Sequence, residues 1–325
     1  MPSHPTPGLA PRTITPFPSL PARPGLVGVR LSATEQTELD WHRIDETWTA
    51  AGEEHVVSAC WLSDHLSDAS RDRNGPAFES LTLASALAHR VGGKWIGIAV
   101  ASATFRHPAL LAKAATLLDN VTVGRFILGL GSGWHEGEHD AFGIPLPPLP
   151  ERFDRLESQL RVLRALFSEQ ARRSPGVTLD DAFYPLREAT NEPPPVRPGG
   201  PLLWLGVGRP RGLRLMATFA SGWPMPGNRP GDVEFFAEAR DRILRALEAA
   251  RRDPSEFSFA AQLTCGTTPA QRKAALATAR RFVAAGATHV ILGLPASIAP
   301  DGMIALADEV AEPLVEGAAA GGGAS

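Results

Sequence analysis

A histidine able to exchange protons follows one of the apolar segments of the sequence. Ser63-Asp64-His65 comes directly after the apolar run 55–62, and an imidazole titrates near neutral pH. Asp64 could bias the charge of His65 or hold the loop. A loop-capping aspartate beside a surface histidine would give the same pattern, so a catalytic and a structural role both stay open for His65.

Two glycine-rich segments follow other apolar runs. One is GLGSG at 129–133, and the other is GVGR at 206–209, which precedes a predicted helix. Glycine lets backbone N–H groups approach a flat ring or a phosphate closely. The N-terminus of the following helix, with Arg209 and Arg211, favours an anion. Strand-to-helix turns with solvated arginines explain the same residues without a ligand.

Histidines and glutamates are concentrated between residues 135 and 139, at His135, Glu136, Glu138 and His139. The order of these residues differs from HExxH, and no cysteine is near them in the sequence. We therefore predict a solvated charged loop and no metal site. GxSxG, SxxK and P-loop patterns are also absent from the sequence, which disfavours acyl transfer and nucleotide hydrolysis.

Eight apolar runs, each followed by a helical pattern, would position these residues. The runs are continuous, as strands buried on both faces should be. Strict alternation of strand and helix predicts parallel strands and an α/β fold of the closed (β/α)8 TIM-barrel type. An open doubly wound sheet is the alternative, but no GxGxxG follows the first run. The runs are 26–31, 55–62, 95–101, 125–130, 202–207, 222–225, 257–265 and 289–294.

The pattern breaks between residues 168 and 200, which include three consecutive prolines. This predicts an insertion after the fourth strand–helix unit of a single barrel that spans 25–316. The active site of such a barrel forms where the strands end. The residues that follow the strands should therefore converge on one rim, and the insertion should shape the substrate pocket.

Composition narrows the class of protein further. The 325 residues carry a net charge of −3, which gives no general basic footprint for nucleic acid. Two cysteines cannot form a disulfide framework, and no apolar run is long enough to span a bilayer. We expect a cytoplasmic protein with no nucleic-acid or membrane partner. The proline-rich residues 1–24 predict a disordered arm, and the Ala/Gly/Ser-rich 317–325 predict a flexible tail.

Long ordered segments of the chain resemble the bacterial luciferase-like oxidoreductases, and most of all those that use coenzyme F420, an 8-hydroxy-5-deazaflavin. The segments are WLSDHL at 61–66, FRHPALLAKAATLLDNVTVGRFILGLGSGWHEGEHDAFGIP at 105–145 and ERFDRLESQLRVLRALF at 151–167. The resemblance covers about 280 residues and omits the first 24. It implies a barrel with a flavin or deazaflavin in its mouth, in agreement with the strand count.

The resemblance also implies roles for individual residues. His65 would lie near the reactive ring and act in proton transfer, and a non-proline cis peptide would join Ala99 to Val100. Trp134 stands where members that oxidise a sugar phosphate carry an acidic residue, so that activity is not expected. The implied cofactor contacts are Asp64, Ala99, Val100, Ser102, Ser132 and Gly133, with Gly206, Val207, Gly208 and Arg209 on the phosphate side.

The predicted function is hydride transfer between coenzyme F420 and a small organic substrate. An FMN-dependent monooxygenase on the same fold is the first alternative, and a non-catalytic flavin-binding barrel is the second. The resemblance implies a homodimer, for which Leu111 and Leu118 on an outer helix are candidate contact residues. The identity of the substrate is not predicted.

Overall fold

Eight parallel strands form a closed barrel in the computed structural model, which describes residues 21–31, 41–67, 76–294 and 300–321. The barrel strands are β1 (Val27–Leu31), β2 (Ala59–Leu62), β3 (Trp95–Ser102) and β4 (Phe126–Gly131), then β7 (Leu202–Leu205), β8 (Gly222–Pro224), β9 (Ser258–Thr264) and β10 (His289–Leu294). Their order around the barrel is β1-β10-β9-β8-β7-β4-β3-β2. This confirms the predicted (β/α)8 barrel. Six barrel strands lie within the predicted apolar runs, and β3 and β4 each extend one residue beyond theirs, to Ser102 and Gly131.

The helices cover the outside of the barrel. Proline stands in the first turn of several helices, where its missing N–H costs no hydrogen bond; examples are Pro108, Pro150, Pro210 and Pro269. A π-helical turn at Ala307–Ala311 joins the last two helices. The helices are α1 (Trp41–Glu53), α2 (Ser80–Leu87), α3 (Pro108–Val121), α4 (Glu136–Phe142), α5 (Leu149–Leu166), α6 (Pro210–Phe219), α7 (Val233–Ala249), α8 (Pro269–Ala284), α9 (Pro300–Leu306) and α10 (Glu312–Gly321).

Large side chains fill the barrel interior near the start of the strands. The rings of Trp61 and Trp204 lie 5.0 Å apart, and Gly97 leaves room for the first of them. Trp61 Nε1 donates to His289 Nε2 over 2.9 Å, and His289 Nδ1 donates to the carbonyl of Gly25 over 2.6 Å. Burial lowers the pKa of His289 to about 4, so this ring is neutral at pH 7. The lower part of the barrel is therefore closed.

The insertion after α5 packs against the outside of the barrel. It contains the hairpin of β5 (Val177–Leu179) and β6 (Leu186–Ala189). Asn191 Nδ2 then donates to Thr116 Oγ1 on α3 over 3.0 Å, and Asn120 Nδ2 donates to the carbonyl of Pro194 over 2.9 Å. The second half of the insertion thus lies beside the start of β7, away from the mouth, and the expectation that it shapes the substrate pocket is wrong for these residues.

Part of the arm predicted at 1–24 contacts the barrel, and part of the tail predicted at 317–325 is helical. Arg197 Nη2 donates to the carbonyl of Pro21 over 2.8 Å, and Arg23 Nη1 donates to the carbonyl of Ser255 over 3.2 Å, so residues 21–24 of the predicted arm lie on the barrel. Residues 1–20 lie outside the described part of the chain. The predicted tail begins as helix, because α10 extends to Gly321, and 322–325 again lie outside the described part.

The two leucines predicted to lie at a dimer contact are core residues. Leu111 and Leu118 are 2% and 0% exposed, because they lie on the face of α3 that packs onto the barrel. Within the described ranges, no helix combines the length and apolar character needed to cross a bilayer.

Candidate active site

His65 and Glu138 meet at the rim where the strands end. Nδ1 of His65 lies 3.2 Å from Oε2 of Glu138, and the two side chains are 18% and 1% exposed. A carboxylate can only accept a hydrogen bond, so Nδ1 carries the proton of this contact. Nε2 of the neutral ring is therefore the nitrogen that can accept a proton from a partner outside the pair.

Glu138 also holds the backbone of the loop that carries His65. Its Oε1 accepts hydrogen bonds from the N–H groups of Leu66 and Ser67. Burial alone would raise the pKa of Glu138, but the hydrogen bonds from His65 and these N–H groups outweigh it and bring the pKa below its ordinary value. Glu138 is thus a carboxylate at neutral pH, and the prediction that it belongs to a solvated loop is wrong.

His139, the next residue on α4, is also buried and holds a second rim loop. Its Nδ1 donates to the carbonyl of His135 over 2.7 Å, so Nε2 of the neutral ring accepts from Thr104 Oγ1 over 2.7 Å. Thr104 Oγ1 in turn accepts from Ser102 Oγ over 2.7 Å. The chain of donors fixes the hydroxyl direction of Ser102 and leaves its oxygen as an acceptor for a ligand.

Asp64 belongs to the framework of the rim. Its side chain is fully buried and accepts two hydrogen bonds of 2.7 Å from Arg106. Ser80 Oγ donates to it over 2.7 Å and the N–H of Ser102 over 2.8 Å. These four donors occupy the carboxylate, which corrects the prediction that Asp64 contacts the cofactor. Asp64 and Glu138 instead lock the loops that follow β2 and β3.

The peptide bond between Ala99 and Val100 is cis, as the resemblance implies. Val100 packs against Gly131, the last residue of β4, and against Gly206, which directly follows β7. A Cβ added to these glycines would lie 2.9 and 3.0 Å from the methyl groups of Val100. Those glycines therefore make room for Val100, and Val207 is buried beside them. Together the residues give a small apolar surface across the ends of β3, β4 and β7.

Gly133 turns the chain next to Ser102. Its φ of +81° is a left-handed conformation that favours glycine, and an added Cβ would lie 3.0 Å from Ser102 Oγ. Ser132 beside it is half-buried. Trp134 follows with 65% exposure, and its ring centre lies 6.0 Å from that of His65 in an edge-on arrangement. Trp134 is thus an apolar side chain at the mouth, next to the titratable group.

The two arginines at the start of α6 differ in their surroundings: Arg209 is exposed, and Arg211 is paired with carboxylates. Gly208 and Arg209 are exposed, and Arg209 is the N-cap residue of α6. Arg211 Nη2 instead donates to Asp154 Oδ1 over 2.7 Å and to Glu157 Oε2 over 2.9 Å. The expectation that Arg211 serves an anionic ligand is therefore wrong, because two carboxylates of α5 already hold it. Arg209 and the helix N-terminus keep that role as a prediction.

Arg30 and Gln262, which no sequence motif indicates, lie inside the mouth of the barrel. Arg30 Nη1 on β1 donates to Gln262 Oε1 on β9 over 2.6 Å, and Gln262 Nε2 donates to the carbonyl of Met225. Added Cβ atoms at Gly227 and Gly293 would lie 3.1 and 3.2 Å from the guanidinium, so these glycines leave space for it. An arginine within an otherwise apolar strand was the available signal.

The rim thus combines a mostly buried imidazole, a small apolar surface and a helix N-terminus. The imidazole can transfer a proton, the apolar surface suits a flat ring, and the helix end suits an anion. Among the described residues, no group of three His, Cys, Asp or Glu side chains has the arrangement of a metal site.

Residues 26–320 match the model of the family described as luciferase-like monooxygenase. A phthiodiolone/phenolphthiodiolone dimycocerosates ketoreductase of Mycobacterium kansasii is 35% identical over 160 residues, 49% of this chain and 41% of that protein. An F420-dependent glucose-6-phosphate dehydrogenase of Microbacterium testaceum is 30% identical over 199 residues, 60% of this chain and 54% of that protein. The chain spans about half the length of the curated relatives it matches.

The fold is similar to that of a solved F420-dependent secondary alcohol dehydrogenase in complex with an F420-acetone adduct. The TM-score is 0.71 at 17% sequence identity, and the alignment covers 90% of this chain and 99% of that structure. At this level of identity the similarity establishes a shared fold.

Proposed function

The chain belongs to the luciferase-like monooxygenase family, and on that basis we propose that it is an oxidoreductase that transfers hydride between coenzyme F420 and a small organic substrate. The contact between His65 and Glu138 is the observation that carries this proposal, because it prepares an imidazole for proton transfer at the rim. The names of the two relatives, an F420-dependent dehydrogenase and a ketoreductase, support it. The family description favours a second candidate, an FMN-dependent monooxygenase on the same barrel.

The residues at the mouth fit a flavin-like group. Val100, Gly131 and Gly206 form an apolar surface at the ends of three adjacent strands, which suits one face of a flat ring. The hydroxyl oxygen of Ser102, free to accept a hydrogen bond, suits a ring N–H at the edge of that surface. Ala99, Ser132 and Gly133 border these residues and complete the proposed ring contacts.

The phosphate side of the cofactor would be held at the start of α6. Exposed Gly208 and Arg209 precede the helix, whose first N–H groups favour an anion. Val207 is buried and positions this turn without presenting its side chain. Of the two arginines at this turn, Arg209 is the one that pairs with no carboxylate in the described part of the chain, since Arg211 is held by Asp154 and Glu157.

The protein's part in the chemistry is proton transfer and orientation. When bound, the deazaflavin supplies the carbon that gives or takes a hydride. His65 Nε2 would give a proton to the substrate oxygen during reduction and take it during oxidation. Glu138 would stabilise the imidazolium form and keep the proton of Nδ1 in place, so that only Nε2 exchanges.

A carbonyl and alcohol pair is the substrate class that these residues suit. Such a pair needs one proton at oxygen for each hydride at carbon, which matches a single imidazole. Trp134 offers an apolar wall, with 65% exposure beside His65. The reductase and dehydrogenase names of the relatives support this class for the present chain.

We also propose a homodimer formed through the outer face of α3. Leu110, Leu117 and Val121 are 69%, 54% and 46% exposed and lie on one side of that helix.

We further propose that the protein is cytoplasmic. Both cysteines are buried, and burial raises the pKa of Cys60 to about 12 and that of Cys265 to about 11. Two unreactive thiols of this kind fit a reducing compartment.

Equilibrium titration of the purified protein with coenzyme F420 and with FMN, followed by tryptophan fluorescence, tests the cofactor assignment. The proposal expects F420 to bind at least about tenfold more tightly than FMN, and its reduced form to be oxidised by a simple ketone. Tighter binding of FMN, together with oxygenation of a ketone when the flavin is supplied in its reduced form, would favour the monooxygenase. Binding of either compound without turnover on any of a panel of ketones would favour a non-catalytic barrel.

A further inference from the structure

An open cavity lies at the end of the barrel opposite the mouth. Its volume is about 960 Å³, and it is bordered by residues 193–201 of the insertion and by the C-terminal ends of α5 and α6. Leu202 and Leu203, the first residues of β7, form part of its wall. Because the strands are parallel, the length of the barrel and the packed rings of Trp61 and Trp204 separate this cavity from the proposed active site.

The cavity is electropositive. Arg164, Arg197 and Arg252 line it, and none of the described lining residues is an aspartate or glutamate. Burial lowers the pKa of the Arg252 guanidinium, and the nearby charge of Arg164 lowers it further, while Glu256 acts in the opposite direction. An anion placed between the two arginines would relieve this repulsion.

Two of the arginines are held in fixed positions by the end of α6. Arg164 Nη2 donates to the carbonyl of Thr218 over 2.7 Å, and its guanidinium carbon lies 4.2 Å from the ring centre of Phe219. Arg252 Nη1 donates to the carbonyl of Ala220 over 2.6 Å. These bonds satisfy the last carbonyl groups of the helix, which is a structural role. Each guanidinium has five N–H donors, and no described residue accepts those that remain on these two side chains.

One wall of the cavity is apolar and rigid. Proline rings pack well against flat or aliphatic groups and lose little conformational entropy when a ligand binds. The wall consists of Pro193, Pro194, Pro195, Pro198 and Pro201, with Phe167 beside them.

We propose that this cavity is a second ligand site, which binds a phosphorylated small molecule with a flat apolar part. Arg164 and Arg252 would share the phosphate, because a guanidinium matches phosphate oxygens with paired hydrogen bonds and two of them suit a dianion. The apolar part would lie against the prolines. The site is independent of the proposed oxidoreductase function, because none of its residues belongs to the mouth.

Calorimetric titration with phenyl phosphate, inorganic phosphate, phenol and benzoate tests the site without any cofactor. We expect phenyl phosphate to bind more tightly than the other three compounds, since it alone offers both a dianion and an aromatic ring. The double variant R164Q/R252Q should lose about tenfold or more of that affinity, the usual effect of removing hydrogen bonds to a charged group. R245Q, which removes an exposed arginine of α7 outside the cavity, should bind as the unmodified protein does.

If R164Q/R252Q folds, three results would overturn the proposal. The first is equal affinity for phenol and phenyl phosphate, and the second is unchanged phenyl phosphate affinity in folded R164Q/R252Q. The third is loss of binding in R209Q, which would move the phosphate to the start of α6 at the mouth. If R164Q/R252Q fails to fold, as judged by circular dichroism, R164K/R252K keeps both charges without the paired geometry and should still bind more weakly than R245Q. Unchanged affinity in that variant would overturn the proposal as well.

Discussion

His65 and Glu138 come from different strand–helix units and meet across a third. His65 follows β2 and Glu138 lies on α4 after β4, so their 3.2 Å contact bridges the loop that follows the intervening β3. The neighbouring His139 holds that middle loop through Thr104 and Ser102. Two consecutive residues of one short helix thereby set the geometry of the two loops that follow β2 and β3.

Glu138 should be a positioning residue for His65. In E138Q the single amide oxygen is already used by the N–H groups of Leu66 and Ser67, so the amide NH₂ group would face His65 Nδ1. That contact favours the wrong tautomer, and we expect kcat to fall by roughly tenfold to a hundredfold. The dissociation constant for coenzyme F420 should stay within about twofold.

E136Q is the matched control for E138Q, because Glu136 is exposed in the first turn of the same helix. It should leave both kcat and cofactor affinity unchanged. If folded E138Q has the same kcat as the unmodified enzyme, the contact between Glu138 and His65 only holds the loop in place. The two constants come from steady-state kinetics and from fluorescence titration of the same preparation.

Arg209 and Arg211 should respond oppositely to substitution. R209Q should weaken cofactor binding by about threefold to tenfold, since it removes one exposed charge near a phosphate. R211Q should leave cofactor affinity unchanged and lower the melting temperature, because Arg211 pairs with Asp154 and Glu157. R214Q, an exposed arginine on the same helix, is the control for charge. Equal cofactor affinity in R209Q and R214Q would remove Arg209 from the site.

The stability of the fold should depend on pH through His289. Its pKa is lowered from 6.5 to about 4 by burial, so the unfolded chain binds the proton more readily between these values. Stability is therefore lost as pH falls from about 6.5 towards 4, by up to about 3 kcal/mol. Urea denaturation at several pH values should show a smaller loss in H289Q, whose amide can replace both hydrogen bonds.

The matched control for H289Q is H89Q, because His89 is an exposed histidine at the end of the α2 segment. Its pH dependence should equal that of the unmodified protein. A loss of stability in H289Q that is as large as in the unmodified protein would show that other groups account for the acid sensitivity.

The exposed stripe on α3 should hold the dimer together. L117E places a charge in the middle of that stripe and should convert the dimer to a monomer, because burying an unpaired carboxylate is costly. I304E changes an apolar residue of similar exposure, 51%, on α9 and should leave the dimer intact. Light scattering at micromolar concentration gives the masses. A monomeric unmodified protein, or a dimeric L117E, would contradict the assignment of this face.

The sequence predicts the barrel well because its strands are buried on both faces. Such strands form unbroken apolar runs, and even the three-residue strand β8 could be recognised between two helical patterns. The rim position of His65 followed from the same reasoning, since the ends of parallel strands lie on one edge. The cis bond between Ala99 and Val100 came from the family resemblance and had no local signal.

The sequence could not predict which polar residues are buried. Glu138 and His139 read as a solvated loop because their partners lie more than thirty positions away in the chain, at His65 and Thr104. Arg211 read as a phosphate ligand because the carboxylates that hold it come from α5. Each of these outcomes depends on contacts between elements, which local patterns do not encode.

We propose that His65 transfers the proton that accompanies hydride transfer. The most direct test compares the unmodified enzyme, H65Q and H55Q in single-turnover oxidation of bound reduced coenzyme F420 by a ketone, with cofactor affinity measured on the same samples. H55Q is the control, since that histidine is 79% exposed and lies at the opposite end of the barrel. We expect H65Q to keep its cofactor affinity and to lose about 10²–10⁴-fold in rate, while H55Q changes neither quantity. An unchanged rate per cofactor-loaded molecule in folded H65Q would contradict the claim.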